Sequence, residues 1–215
     1  MMRPLPLAAL PLAALPLLAA CARNDDLVEG GGIAAVRSAC PIAAVAEGTG
    51  DITLFDPPAS RDAAAIDVVA NLTNLRATCS DVGADVVTTL TFDIQARRTR
   101  ADGPREVVLP YFTALVRGGN AVTAKRIGRV ALRFEPGQLR ASAQATATTS
   151  VTRAATALPE DVRDKLTKKR KAGQEDAAID PLSQPDVRQA VLRATFEALV
   201  GFQLTDEQLR YNATR

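Results

Sequence analysis

Cysteine is the residue type whose positions in this chain most clearly suggest chemistry. The 215-residue sequence has three cysteines, Cys21, Cys40 and Cys79. Cys21 follows a single positive charge, a long apolar run and a pair of small residues. This layout is typical of a secretory signal, which is removed from the mature protein. The sequence therefore predicts a signal peptide over residues 1–20.

The residues around Cys21 predict more than export. Leu18-Ala19-Ala20-Cys21 resembles a bacterial lipobox, in which the cysteine receives a diacylglycerol. A membrane-spanning helix is the alternative, but a span needs about 20 apolar residues, and prolines repeatedly interrupt this run. In lipoproteins of this kind an aspartate after the cysteine favours the inner membrane, whereas Ala22 follows here. We expect a lipid on Cys21 that anchors the protein in the outer membrane, facing the periplasm.

The segment after the lipobox has the composition of a linker. Residues 21–36 contain acidic side chains and the glycine run Gly30-Gly31-Gly32. Polar residues and glycines bury too little apolar surface to form a core. We therefore expect a flexible tether between the lipid and the folded domain.

The other two cysteines are expected to pair. Exported proteins meet an oxidising compartment, so Cys40 and Cys79 predict a disulfide. The loop closed by such a bond has about 40 residues, which stabilises the fold by roughly 4 kcal/mol on the chain-entropy model. A redox-active pair is the alternative, but reactive pairs are usually close in sequence. A structural disulfide is the prediction.

The residues that most enzymes need are missing. The chain has no histidine, which excludes the Ser-His-Asp and Cys-His arrangements and removes the commonest metal ligand. It also lacks the serine-nucleophile motifs and the glycine-rich phosphate-binding motifs. We therefore predict no enzyme, no catalytic residue, no cofactor and no metal site. A site built only from carboxylates, as in glycoside hydrolysis, is the chemistry left open.

The net charge of the chain points to no particular class of binding partner. The sequence has 26 Lys and Arg against 24 Asp and Glu, which does not favour nucleic-acid binding. One basic run, Lys168-Lys169-Arg170-Lys171, could contact anionic lipid headgroups. A run of cations at the end of a helix also complements the helix dipole, and we favour that interpretation.

Alternating apolar and polar residues between Cys40 and Phe134 predict strands joined by turns. The clearest strand covers residues 84–97, with Val86, Leu90 and Phe92 on its apolar face. The alternation between Ile66 and Cys79 slips by one residue at Thr73-Asn74, which indicates a bulge. Residues 107–116 are apolar on both faces and predict a central strand, although Pro110 is unusual there.

The predicted strands indicate the fold class and the extent of the folded domain. Closely spaced strands without intervening helices predict a mainly β protein, an antiparallel β-sandwich of immunoglobulin-like type with C-terminal α-helices. The sandwich domain should cover residues 37–140, and residues 141–158 a linker or an edge strand. Residues 159–215 should form a helical C-terminal segment.

Three helices are expected in that segment. The first covers residues 159–172. The second begins at a Ser183-x-x-Asp186 signal and continues through Ala198 and Leu199. The third opens at Thr205 with Gln208. The apolar stripe of residues 185–204 should pack either on the sandwich or on a partner.

Several short motifs together resemble a known group. They are Cys40-Pro41, Cys79, Pro110-Tyr111-Phe112 and the stretch from Val200 to Thr205. In these the chain resembles small alphaproteobacterial envelope lipoproteins. The resemblance implies an envelope location and a sandwich, and it transfers no active site.

The sequence thus favours a non-catalytic envelope lipoprotein. Its domain would act as a protein-interaction or structural module, held to the membrane by its lipid, with an envelope protein as the candidate partner. The alternative is a carboxylate-based periplasmic hydrolase or a ligand-binding lipoprotein. Sugar sites usually use aromatic platforms, and two tyrosines with no tryptophan weigh against that alternative.

Overall fold

The computed structural model describes residues 38–168 and 179–214, together with the backbone pairing of two short strands before them. Those strands, β1 (Leu27–Val28) and β2 (Gly32–Ile33), pair antiparallel. The predicted signal peptide, the lipid-bearing Cys21 and the rest of the tether lie outside the described residues. So does the basic run beyond Lys168.

Eight further strands form two four-stranded sheets within the described residues. They are β3 (Ile42–Val45), β4 (Asp51–Phe55), β5 (Ile66–Ser80), β6 (Asp85–Arg98), β7 (Arg105–Arg117), β8 (Ala121–Phe134), β9 (Arg140–Thr152) and β10 (Phe196–Phe202). One sheet has the order β3-β10-β7-β8 and the other β4-β5-β6-β9. Neighbouring strands are antiparallel, except that β3 and β10 are parallel.

Helices precede and follow the last strand. They are α1 (Arg153–Thr156), α2 (Glu160–Thr167), α3 (Pro185–Ala194) and α4 (Asp206–Thr214), with 3₁₀ turns at Ala63–Ala65 and Pro181–Ser183. Val162 of α2 packs with Val187 and Ala190 of α3. No helix in residues 38–168 and 179–214 has the length and apolar character needed to cross a membrane.

The two sheets enclose one apolar core. Phe92 of β6, Phe134 of β8 and Phe202 of β10 are fully buried and come from both sheets. Burial of aromatic and aliphatic side chains is the main force that holds such a sandwich together. The prediction of a mainly β, largely antiparallel sandwich with C-terminal helices is confirmed. Its immunoglobulin-like topology stays a prediction.

Residues 141–158, left open between a linker and an edge strand, form the edge strand β9 followed by α1. β9 pairs with β6 along its whole length. Its inward side chains Ala141, Ala143, Ala145 and Ala147 pack on the core. The small side chains of these alanines allow this edge strand to lie close to the core.

The predicted bulge is confirmed at Asn74. The register between β5 and β6 shifts between Thr73 and Arg76, and Asn74 has a φ of 53°. Asparagine tolerates this left-handed conformation better than most residues. Its side-chain amide also donates to Asp93 Oδ2 at 2.7 Å, which holds the bulge against β6.

Pro110 is tolerated in central strand β7 because of where β10 ends. The last β7–β10 pair is Tyr111 with Phe202, and Pro110 lies just beyond it. Its carbonyl accepts from Gln203 N at 2.9 Å. Proline has no N–H to donate back to Gln203, so the one missing hydrogen bond falls at the end of the β7–β10 ladder, beyond its last paired residues.

The second predicted helix is wrong beyond residue 194. Residues 196–202 form strand β10, which lies between β3 and β7. Phe196, Ala198 and Val200 alternate into the core, so this apolar stripe packs inside the sandwich. A short apolar run fits helical and strand spacing equally well. The segment forms a strand because it pairs with β3 on one side and with β7 on the other.

The helix start signals had different outcomes. Thr205 and Gln208, predicted to open the third helix, cap α4 reciprocally: Gln208 N donates to Thr205 Oγ1 at 3.2 Å, and Thr205 N donates to Gln208 Oε1 at 2.9 Å. The Ser183–Asp186 signal is wrong. Helix α3 begins after Gln184 without a side-chain cap, because Ser183 belongs to the preceding 3₁₀ turn and Asp186 accepts from Lys165.

Candidate functional site

The predicted disulfide is present. Cys40, just before β3, is bonded to Cys79 near the end of β5, with a Cα–Cα distance of 6.1 Å. This distance is ordinary for a disulfide. Because β3 and β5 belong to different sheets, the bond ties the two layers of the sandwich together.

The charged residues of the sandwich do not gather into a metal site. In residues 38–168 and 179–214, no three Cys, Asp or Glu side chains lie close enough together to hold a metal ion.

A cavity of about 380 Å³ lies between helix α4 and strand β4. We call it the α4 cavity. Phe55 and Tyr211 meet edge to face across it at 5.2 Å, and the Arg61 guanidinium lies 5.0 Å from the centre of the Phe55 ring. Asn212 fastens the helix by donating to two backbone carbonyls, those of Gly48 and Asp51. Helix α4 is thus bound to the body of the sandwich.

The most strongly held carboxylate of this cavity is Asp67, which is 6% exposed. Arg105 of the other sheet donates to both of its oxygens, at 2.7 and 2.6 Å. These hydrogen bonds and the charge of Arg105 hold the pKa of Asp67 below its usual value, against the effect of burial. Asp67 therefore stays ionised near neutral pH.

This arrangement weighs against a carboxylate-based hydrolase at the α4 cavity. The other acid there, Glu207, accepts from Arg61 at 2.6 Å. A glycoside hydrolase needs one carboxyl whose pKa is raised so that it can donate a proton. Each acid of the cavity instead has its own guanidinium, and the pair Asp67–Arg105 joins the two sheets.

The solvent-facing side of the β4-β5-β6-β9 sheet is polar. Phe92, Ile94 and Ala96 of β6 face the core, so Gln95 and Arg97 face outward. Arg97 lies directly opposite Arg140 of β9, and Gln95 lies opposite Ser142. On the other side, Gln95 pairs with Asn71 and Arg97 with Val69 of β5. We call this row of residues the arginine groove. Its volume is about 670 Å³.

The solvent-facing side of the β3-β10-β7-β8 sheet carries exposed apolar side chains among charged ones. Ile42, Val108 and Ile127 are 62%, 50% and 63% exposed. Phe112 pairs with Ile127 and faces the same way, because its neighbour Tyr111 points inward against Phe92. Phe112 and Ile127 are direct neighbours, and we call this pair the apolar outer face, whereas Ile42 and Val108 lie further along the strands on the same side of the sheet.

Two cations border the apolar outer face. Lys125 and Arg129 flank Ile127 on edge strand β8, and the Lys125 ammonium lies 4.8 Å from the centre of the Phe112 ring. Such a combination of apolar side chains and positive charge is a candidate contact surface.

Sequence reasoning missed both outer surfaces. The apolar run from Val107 to Val116 indicated burial on two sides, which holds for residues 113–116, whereas Val108 on the same strand is half exposed. The arginine groove gave no signal, because Arg97 and Arg140 are 43 positions apart along the chain. Only the register of β6 with β9 brings them together.

Comparison with known proteins adds little. No protein-family model matches the chain, and no curated protein matches it. A crystal structure of a DUF1425 family member from Shewanella sp. pv-4 is similar to it with 8% sequence identity and a TM-score of 0.24. The match covers 51% of this chain and 92% of that chain. A TM-score this low supports no conclusion about fold or function.

Proposed function

We propose that this protein is an envelope lipoprotein, anchored in the outer membrane by a lipid on Cys21 and facing the periplasm. The observation that carries the proposal is the Cys40–Cys79 disulfide. Stable disulfides belong to oxidising compartments outside the cytosol. The bond also occupies two of the three cysteines and leaves Cys21, within the lipobox, as the remaining one. The resemblance to small alphaproteobacterial envelope lipoproteins supports the same location.

The anchored domain acts as a non-catalytic interaction or structural module. The apolar outer face supports this role, since surfaces of this kind mark contacts with other proteins. Lys125 and Arg129 border it, so charge complementarity favours an envelope protein with an apolar patch edged by carboxylates.

Replacing Cys21 tests the anchor. The variant Cys21→Ser, expressed in a bacterium fed labelled fatty acid, should accumulate as an uncleaved precursor and incorporate no label, because the acceptor thiol is gone. The matched control is Cys79→Ser, which removes a different cysteine and should still be labelled. Normal cleavage after Ala20 and normal acylation of Cys21→Ser would refute the lipid anchor.

A charge placed on the apolar outer face tests the interaction. Ile127→Glu should reduce the recovery of the envelope partner from solubilised membranes by roughly 30-fold, the effect of losing a central contact of about 2 kcal/mol. The control is Val82→Glu, at a position that is 85% exposed in the β5–β6 turn. Equal recovery with both variants would show that the apolar outer face binds no partner.

A further inference from the structure

The arginine groove places two arginines at directly opposite positions of neighbouring strands. Arg97 and Arg140 are directly opposite on antiparallel neighbours and share the outward face. Side chains in such pairs have Cβ atoms about 5 Å apart, and like charges there destabilise a sheet. Among the salt bridges of residues 38–168 and 179–214, none involves either residue.

Some other arginines of this sandwich are each held by a carboxylate. Arg105 is paired with Asp67, Arg100 with Asp56 and Arg133 with Glu106, each at an N–O distance of 2.6 to 2.8 Å. The Arg97–Arg140 pair lacks such compensation from the described residues. An external anion between the two guanidinium groups would remove the repulsion.

The backbone beside the groove is held in place before any ligand arrives. Arg98, the neighbour of Arg97, points into the core side and donates to the carbonyls of Gln138, Gly103 and Glu135. Its own N–H donates to Leu139 O at 2.9 Å, immediately before Arg140. These bonds fix the start of β9 against the end of β6, so the backbone positions of Arg97 and Arg140 are fixed relative to each other.

The neighbouring row supplies neutral hydrogen-bond donors. The amides of Asn71 and Gln95 and the hydroxyl of Ser142 line the groove beside the arginines. A guanidinium presents a planar fork of N–H donors that suits the oxygens of phosphate. Two guanidinium groups with neighbouring amides therefore suit the oxygens of a tetrahedral dianion better than those of a single carboxylate.

We propose that the arginine groove binds a phosphate group, held between Arg97 and Arg140 with Asn71, Gln95 and Ser142 as secondary donors. The groove is broad and open to solvent, so the phosphate can be free or carried by a larger molecule such as a phospholipid. This site goes beyond the proposed interaction role and does not depend on the lipid at Cys21.

Thermal unfolding of the purified full chain tests the site. Sodium phosphate should raise the unfolding temperature of the wild-type protein above its value in sodium chloride of equal ionic strength. Arg97→Gln and Arg140→Gln should each weaken phosphate binding about 10-fold or more, since each removes charge-assisted hydrogen bonds. Without phosphate, either variant should unfold at the same or a higher temperature than wild type, because repulsion is relieved.

The matched control is Arg129→Gln, which removes one exposed arginine from the opposite face of the sandwich and should keep the phosphate response. A second arm distinguishes the source of the phosphate. Vesicles of phosphatidylcholine with and without phosphatidylglycerol are sedimented with Arg97→Gln and with Arg129→Gln.

Loss of the orthophosphate response in Arg97→Gln alone identifies a site for free phosphate. Loss of phosphatidylglycerol-dependent sedimentation in Arg97→Gln alone, without an orthophosphate response in wild type, identifies a headgroup site. Equal behaviour of Arg97→Gln and Arg129→Gln in both arms would overturn the proposal.

Discussion

At the scale of single residues, the sandwich uses arginine to satisfy polar groups that burial would otherwise leave unpaired. Arg98 is 3% exposed, yet its guanidinium donates to three backbone carbonyls and lies 5.1 Å from the centre of the Phe134 ring. Arg105 does the same for Asp67 across the two sheets. A buried charge is stable only when it is paired and hydrogen-bonded in this way.

The Asp67–Arg105 pair predicts a pH dependence. The pKa of Asp67 is lowered in the folded state, so the folded protein binds this proton more weakly than the unfolded chain. Its contribution is therefore fully present above about pH 4 and is lost as the pH falls towards the folded pKa. Asp67→Asn should lower the free energy of unfolding by about 1–2 kcal/mol at pH 7, since Arg105 is partly exposed and solvent screens the pair.

Urea unfolding between pH 3 and pH 7 checks this prediction. The difference between wild type and Asp67→Asn should shrink as the pH falls. Glu106→Gln is the matched control, because Glu106 pairs with Arg133 on the exposed surface and its loss should change the free energy of unfolding by less than about 0.5 kcal/mol. A constant difference across the pH range would contradict the role assigned to Asp67.

At the scale of elements, β10 is the strand on which the first sheet depends. It is paired with β3 on one side and β7 on the other. Gly201 allows it to fit, because an added Cβ would overlap the side chain of Thr49 and press on the ring of Phe112. The requirement for glycine here is steric, since the loop before β4 crosses the strand closely.

Gly201→Ala should lower the free energy of unfolding by about 1–3 kcal/mol, the usual cost of overpacking. Thr49→Gly in the same chain should restore part of this loss by removing the overlapping atoms. Urea unfolding of the single and double variants measures the coupling. If the double variant were as unstable as the sum of the two single variants, the steric explanation would be wrong.

At the scale of the whole molecule, the sandwich presents two outer faces that differ in their exposed apolar side chains. One carries the apolar side chains Ile42, Val108, Phe112 and Ile127, and the other carries the arginine groove. The disulfide joins the layers that bear these faces. The two proposed contacts, with an envelope protein and with a phosphate group, therefore lie on opposite sides of a single core.

Local patterns in the sequence were sufficient for much of this architecture. Strand β6 was predictable because alternation from Val86 to Ala96 has one physical explanation, a strand with one buried face. The bulge at Asn74 followed from a slip in that alternation. The cap at Thr205 followed from a local hydrogen-bond motif. The disulfide followed from counting cysteines in a chain that was predicted to be exported.

Tertiary structure decided what depends on distant partners. Phe196–Phe202 satisfies helical and strand spacing alike, and only the space between β3 and β7 makes it a strand. Ser183 had the chemistry of a helix cap but was taken up by the preceding turn. Arg97 and Arg140 form a candidate site only through strand register. Alternation determines which residues face the core, whereas the register between strands far apart in sequence determines which outward residues meet.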